Sequence, residues 1–578
     1  MYRLNTKIRR RVRIGGELQL CVSFTSAAYS PTRACSPPES LESSRCCPDN
    51  SSSDLSVKNQ LAGSWDRLTY CCSEMWAIGV VSLWMLLLGI PVALYFYLRR
   101  QFSFWSDRNA PYKEADWIFG NLAEFVRGKR SLAEVSLDLY KEFKGSRFVG
   151  IWEFHSPTLF VIDPELLRDI LVKDFASWST RGTAANVDVD PLSANLIHLN
   201  GDTWKSVRAK LTPTFTSGKL KQMHYLLLEC GKDFEKYLNA AATDGKPLEA
   251  REMSAKFTTD VIGSCAFGIQ MNSLNDEDAV FRRMGRKIFE PSTKGKIVRA
   301  LQRHFPGLFK FLNLSAHEQE LTDFFLKITK ENLEYRERNN LQRHDFMDLL
   351  RNMKNSGEPL GKDDVEIDYR FLAAQAFVFF AAGFETSSTA ISFCLHELAV
   401  NQDIQDRLRD EINETKAASD GEVTWDGLNS MKYLDMVVAE TLRKYPPIPV
   451  TTRCAVKPYR IPGTDIELPE RTGCIAPIYA LHHDPEYYPE PDKFIPERFT
   501  DEAKSQRPAL AYLPFGSGPR VCIGLRFAEQ QTKLGLVKLV ENFKITLCEK
   551  SQNPLQLDPK ARFLVAKGGI WIRISKNS

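Results

Sequence analysis

The residues of this chain whose types and spacing could do chemistry lead first to one cysteine near the C-terminus. Cys522 stands in the run Phe515-Gly516-Ser517-Gly518-Pro519-Arg520-Val521-Cys522-Ile523-Gly524. Gly516 and Gly518 let a loop turn tightly and approach a flat ligand with no Cβ in the way, and Pro519 stiffens the turn. From Ile523 the apolar pattern of Leu525, Phe527, Ala528, Leu534, Leu536 and Val537 predicts a helix. Cys522 then sits at its start, where unpaired backbone N–H groups favour a negative sulfur. A thiolate is plausible there at neutral pH. Arg520 adds a fixed positive charge suited to a ligand carboxylate.

Two further constellations carry polar chemistry. Trp204 and Arg208 lie four apart in a charged helical stretch, so an indole N–H and a guanidinium share one face and can reach one carboxylate. The apolar run from Phe371 to Leu398 contains Gly383 and Glu385. It is too interrupted for a membrane span and reads as a helix buried through the core. Gly383 weakens such a helix by up to ~1 kcal/mol relative to alanine, and a buried Glu385 demands a partner or water. Local rule-breaking of this kind marks functional sites.

The elements that must position these groups follow from the rest of the chain. A composition of 43% hydrophobic and 26% charged residues over 578 positions provides a large core and excludes wholesale disorder. A net charge of +4 is too small to argue for nucleic acid. The thirteen cysteines form no C-x-x-C pair, so a structural zinc site has little support. Residues 1–74, rich in Ser, Cys, Pro and Arg, read as an unstructured, atypical extension or a mispredicted start before Met75. Within it, Met1 to Gly16 has the basic, acid-free character of a mitochondrial transit sequence. Against that, Trp76 to Leu98 is 23 residues without a charge, enough to cross roughly 30 Å of hydrocarbon. The expected organisation is an anchor over 75–99, a linker over 100–113 and one catalytic domain over 114–578. Arg99, Arg100, Arg108 and Lys113 weakly place that domain in the cytoplasm. Short β-rich runs are expected at Phe148 to Phe154 and Thr158 to Ile162, and His482-His483-Asp484-Pro485 reads as a surface turn.

The pattern F-G-x-G-x-R-x-C-x-G resembles the haem-binding loop of the cytochrome P450 superfamily, whose iron takes a cysteine thiolate. The resemblance implies a mainly α fold with small β-sheets, in one haem-thiolate domain behind an N-terminal transmembrane helix. It implies haem b, with Cys522 as the iron ligand and Phe515 and Gly524 in the loop that cradles it. Trp204 and Arg208 match the family's W-x-x-x-R propionate contact; Arg453 and Arg520 match further propionate contacts. Ala382-Gly383-Phe384-Glu385-Thr386 resembles the oxygen-activation motif, in which Thr386 donates to bound oxygen and Glu385 relays protons. Glu440 and Arg443 match the family's buried pair, joined by Arg498 of the P-x-R-F segment, as structural residues. Glu165 and Arg168 have the same spacing but lack the Tyr445-Pro446-Pro447 and Phe494 to Phe499 context that follows the later pair.

The overall pattern is most similar to insect-type microsomal members that handle xenobiotics and plant compounds. The implied activity is oxidation of a lipophilic small molecule by O2 and NADPH-derived electrons at the endoplasmic reticulum membrane. NADPH-cytochrome P450 reductase is the implied partner, docking on a basic patch that includes Lys205, Arg526 and Lys533, with cytochrome b5 a further candidate. A haem-thiolate isomerase or dehydratase acting on peroxides, a non-catalytic haem-binding protein, and a mitochondrial location remain open alternatives.

Overall fold

The computed structural model describes residues 89–578 apart from 184, 291, 359, 362–364 and 578, together with 76, 80, 82, 84 and 85. The expected extension, and residues 75, 77–79, 81, 83 and 86–88 of the expected anchor, lie outside the described residues. Residues 89–102 are helical and carry exposed Ile90, Val92, Leu94 and Phe96.

Two runs rich in β-branched and aromatic residues form β1 (Phe148–Glu153) and β2 (Ser156–Val161), an antiparallel hairpin in which Gly150 pairs with Leu159. With β3 (Thr451–Cys454) and β4 (Gly473–Ala476) they make a four-stranded sheet of order β1-β2-β4-β3. The register sets Arg453 opposite Cys474 and buries the arginine. A smaller sheet joins Leu248–Glu249, Trp571–Lys576 and Phe543–Thr546.

The rest of the described chain is mainly helical. The helices that matter for the site are α1 (Gly201–Leu211), α2 (Ala250–Ile262), α3 (Thr293–His304), α4 (Tyr369–Val400), α5 (Lys432–Lys444), α6 (Ile478–His482) and α7 (Leu525–Asn542). Asp368 caps α4 by accepting from the Phe371 N–H at 2.8 Å. At 32 residues α4 is long and apolar enough to cross a membrane, but 78% of its most apolar window is buried inside the fold, so it is a core helix. It packs along α2, and the approach depends on Gly383: a Cβ there would meet Ile262 Cδ1 at 2.4 Å.

Helix α7 begins at Leu525 rather than at Ile523, because Ile523 and Gly524 form a turn with Gly524 as the N-cap. Cys522 therefore lies just outside the helix. His482 and His483 are buried, not on a surface turn. The sequence His-His-Asp-Pro is polar, yet α6 is enclosed by aromatic rings, His482 stacking on Tyr512 and His483 on Tyr479.

Candidate active site

The cysteine loop is shaped by backbone that only glycine adopts cheaply. Gly516 and Gly518 have φ of +74° and +71°. Gly518 also approaches the chain so closely that a Cβ would lie 1.9 Å from the Leu171 carbonyl oxygen. Gly518–Arg520 forms a single 3-10 turn, and the Cys522 N–H donates to the Phe515 carbonyl at 3.0 Å to close the loop. The sulfur is accessible because it lines a cavity, although protein surrounds it on all sides. That burial raises the thiol pKa; the Gly524 N–H and the positive charges of Arg208 and Arg181 pull the other way.

The same cavity is lined by Trp204 and Arg208 of α1, Arg453 of β3, Phe515, Arg520 and Gly524 of the loop, and Ala382, Gly383 and Thr386 of α4. Arg520 stacks over the Trp204 ring, 4.3 Å from its centroid. Most of its donors are taken by the chain, at Ser179 O (2.6 Å), Leu199 O (2.7 Å) and Ile197 O (3.4 Å). Arg520 thus ties the loop at 179–199 to the cysteine loop. Arg453 donates to Thr452 O at 2.9 Å and keeps a buried Nε–H without a partner.

Sequence reasoning missed Arg181, which lines the cavity with another buried, unpartnered Nε–H. No local spacing marks it. Burial and the neighbouring arginines pull Arg453 and Arg520 down to about 9, still charged at neutral pH. The acid along this cavity among the described residues, Glu529, faces Lys533 and Arg526 instead. Guanidiniums at 181, 208, 453 and 520 around one space fit a ligand with carboxylates at its edge, and an accessible sulfur at its wall fits a metal ligand. The residues present therefore suit haem.

On α4 the backbone carbonyls beside the cavity carry extra donors, although the helix itself is continuous. The carbonyls of Ala382, Gly383, Phe384 and Glu385 accept side-chain donors in succession, from Thr386 Oγ1 (2.8 Å), Gln531 Nε2 (2.7 Å), Thr258 Oγ1 (2.9 Å) and Ser388 Oγ (3.0 Å). Such bonds compete with the helical ladder and loosen it. Gln531, which also donates to Ser387 Oγ, reaches across from α7. Thr386 faces the cavity, whereas Glu385 is not among the residues lining it and is ion-paired with Arg251 of α2. The Arg251 side chain is 32% exposed, so the buried carboxylate connects to the surface through it.

Beneath the loop, Arg443 grips Glu440 with two bonds, 2.7 Å from Nε to Oε2 and 2.8 Å from Nη2 to Oε1, both side chains fully buried. Arg443 also donates to the His482 and Lys493 carbonyls, each at 3.1 Å. Glu440 accepts from the Ile495 N–H at 2.9 Å, and Arg498 Nε approaches it at 3.4 Å without hydrogen-bond geometry. His482, read from sequence only as part of a surface turn, extends this network to the cysteine loop: its Nδ1 lies 3.2 Å from Arg443 O and its Nε2 accepts from the Leu513 N–H at 3.0 Å. Of the cations expected on a docking face, Lys205 and Arg526 are exposed. Lys533 is buried and paired with Asp435, because the α7 face that carries it is covered by α5.

A family model described as Cytochrome P450 matches residues 111–572. The chain is 41% identical over 496 residues to "Probable cytochrome P450 6a13" of Drosophila melanogaster, covering 86% of this chain and 99% of that protein. It is 40% identical over 512 residues to "Cytochrome P450 6k1" of Blattella germanica and 38% identical over 506 residues to "Cytochrome P450 6A1" of Musca domestica, in each case covering 86% of this chain and 97% of the relative. A match of this extent, to relatives aligned over nearly their whole length, makes the chain a member of the cytochrome P450 family, the haem-thiolate monooxygenases.

Proposed function

We propose that this protein is a membrane-anchored monooxygenase of the endoplasmic reticulum that oxidises lipophilic small molecules, with Cys522 as the thiolate ligand of its haem. When bound, the haem supplies the oxygen chemistry, placing one atom of O2 in the substrate and reducing the other to water. The observation that carries the reading is the one cavity lined together by Cys522, by Arg181, Arg208, Arg453 and Arg520, and by Ala382, Gly383 and Thr386 of α4.

Each side chain has a stated task in this reading. Trp204, Arg181, Arg208, Arg453 and Arg520 orient the haem carboxylates; Phe515 and Gly524 shape the loop around the sulfur. Thr386 presents a hydroxyl to the cavity. Its proton is directed at Ala382 O, so it can accept from one partner while holding that carbonyl. Glu385 and Arg251 form a buried-to-surface pair through which protons reach α4. Glu440, Arg443 and Arg498 hold the floor of the loop. Electrons come from NADPH-cytochrome P450 reductase, with cytochrome b5 as a second donor.

The test is Cys522→Ser in the full chain. The wild type is expected to give a reduced carbon monoxide adduct with a red-shifted Soret band and the variant to lose it. An unchanged spectrum in the variant refutes the assignment. Absence of NADPH-dependent oxygen consumption with reductase and a panel of lipophilic compounds would favour the isomerase or carrier readings. Release of the protein from membranes by carbonate would remove the anchor.

A further inference from the structure

One wall of the cavity is a loop, of which Leu196 and Ile197 line the space. Another is α4, whose Val378, Phe379, Ala382 and Thr386 line it at helical spacing. Gln375 stands one turn earlier on the same face of α4 and is fully buried. Its amide holds the loop with both ends: Nε2 donates to the Ala194 carbonyl at 2.7 Å, and Oε1 accepts from the Leu196 N–H at 3.0 Å. The reverse orientation of the amide would set oxygen against oxygen and N–H against N–H. A further donation, to Phe371 O at 3.3 Å, ties the side chain to the preceding turn of α4. The stripe of α4 that faces the cavity therefore ends where Gln375 brings in the loop.

Ala194 O and the Leu196 N–H have no other hydrogen-bond partner among the described residues. The flanks of the loop are held separately. On one side the buried Asp190 accepts from the Ala316 N–H at 2.9 Å and lies 2.9 Å from His317 Nδ1, and the 3-10 turn Pro191–Ser193 follows it. On the other, Arg520 donates to Leu199 O at 2.7 Å and to Ile197 O at 3.4 Å. These anchors do not depend on Gln375. The two backbone groups between them do, and a buried donor or acceptor left unmet is costly. The apolar residues around Gln375 on α4 offer no substitute, so without its amide this part of the loop would move off α4 until water met both groups.

Given the haem-thiolate reading above, we propose that Gln375 is a positioning residue: by fixing Leu196 and Ile197 against α4 it sets how far the cavity extends along that helix, and so the length of molecule the enzyme accepts. Gln375 itself is not among the residues that line the cavity. It acts through the two apolar side chains that it places there.

The probes are n-alkylimidazoles from butyl to dodecyl, whose ring nitrogen takes the haem iron while the tail extends into the cavity. Each is titrated, by its Soret shift, into the full-length wild type and Gln375→Leu in phosphatidylcholine vesicles at one lipid concentration. Partitioning into lipid is common to both proteins and cancels in the ratio of their affinities. That ratio is expected to stay near one for the shortest tail. Beyond the length that meets the loop it should turn in favour of the variant by up to about fourfold per methylene, the value of one more buried CH2. Gln375→Asn keeps the amide one carbon short and should show the same break, so it decides the matter if Gln375→Leu does not fold. Leu196→Ala should also move the break, and combined with Gln375→Leu it should add less than the sum of the two. A ratio that does not change with tail length overturns the proposal, whether it stays at one or falls equally for every probe as a merely structural role would have it. Full additivity of the two substitutions overturns it too. Carbon monoxide spectra separate the two levels: a wild type without the red-shifted band refutes the haem-thiolate reading, whereas an intact band with a flat ratio refutes the positioning role alone.

Discussion

His482 offers a pH test of the network under the cysteine loop. It is fully buried, and its two ring nitrogens need opposite roles: Nδ1 donates its proton to Arg443 O while Nε2, without a proton, accepts from Leu513 N–H. Protonation would turn the acceptor into a donor facing an N–H. Burial, then the charge of Arg443, accordingly lower its pKa to about 3. In the unfolded chain the value returns to about 6.5. The unfolded state therefore binds the extra proton first, and the neutral histidine's contribution is complete above pH 6.5 and lost as pH falls toward 3. From linkage, stability drops by about 1 kcal/mol between pH 7.5 and 5.5, and by about 3 kcal/mol by pH 4.5.

Other buried histidines add to the wild-type slope, since His198 and His304 are also held down, to about 3 and about 4. The difference from His482→Gln isolates this one. Glutamine keeps at most part of the hydrogen bonding, so the variant should be less stable at pH 7.5 by about 1–2 kcal/mol. Its urea midpoint, followed by Soret absorbance and circular dichroism, should then fall less steeply on acidification. Parallel slopes in the two proteins would refute the assigned tautomer and the role of His482.

Three further outcomes are expected. Gly518→Ala should cost more haem than Gly516→Ala: both place a side chain at positive φ, about 1–2 kcal/mol, but only at 518 does the Cβ strike backbone, the Leu171 oxygen at 1.9 Å, while 516 has no atom within 4 Å. Haem content of the purified variants measures the order. Arg443→Ala should strand the buried Glu440 carboxylate, at about 3–5 kcal/mol, and yield apoprotein; a stable variant with full haem content contradicts this. Gln531→Leu removes the brace from α7 to the Gly383 carbonyl and should lower product formed per NADPH oxidised while the carbon monoxide band persists. Gln531→Asn should rescue little, because the shorter side chain does not span the 2.7 Å bond.

What could be read from the sequence is what neighbours in sequence do for one another. The glycines of the cysteine loop act on their own backbone, Trp204 and Arg208 share a helix face, and the Glu440–Arg443 pair closes within a single turn of α5. Each leaves a fixed spacing behind. Arg181, Thr258, His482 and Gln531 leave none, because each acts across the fold: Thr258 of α2 and Gln531 of α7 meet on adjacent carbonyls of α4, and His482 bonds to a backbone amide 31 positions away. The same cause explains the misreadings. Lys533 and His482 are polar residues in segments whose burial depends on elements contributed by distant parts of the chain. It also explains the division of labour in the site. Local motifs supply most of the groups that line the cavity, and single long-range hydrogen bonds join α7 and α2 to α4, so substitutions at unmarked positions such as 531 should alter coupling before they alter cofactor binding.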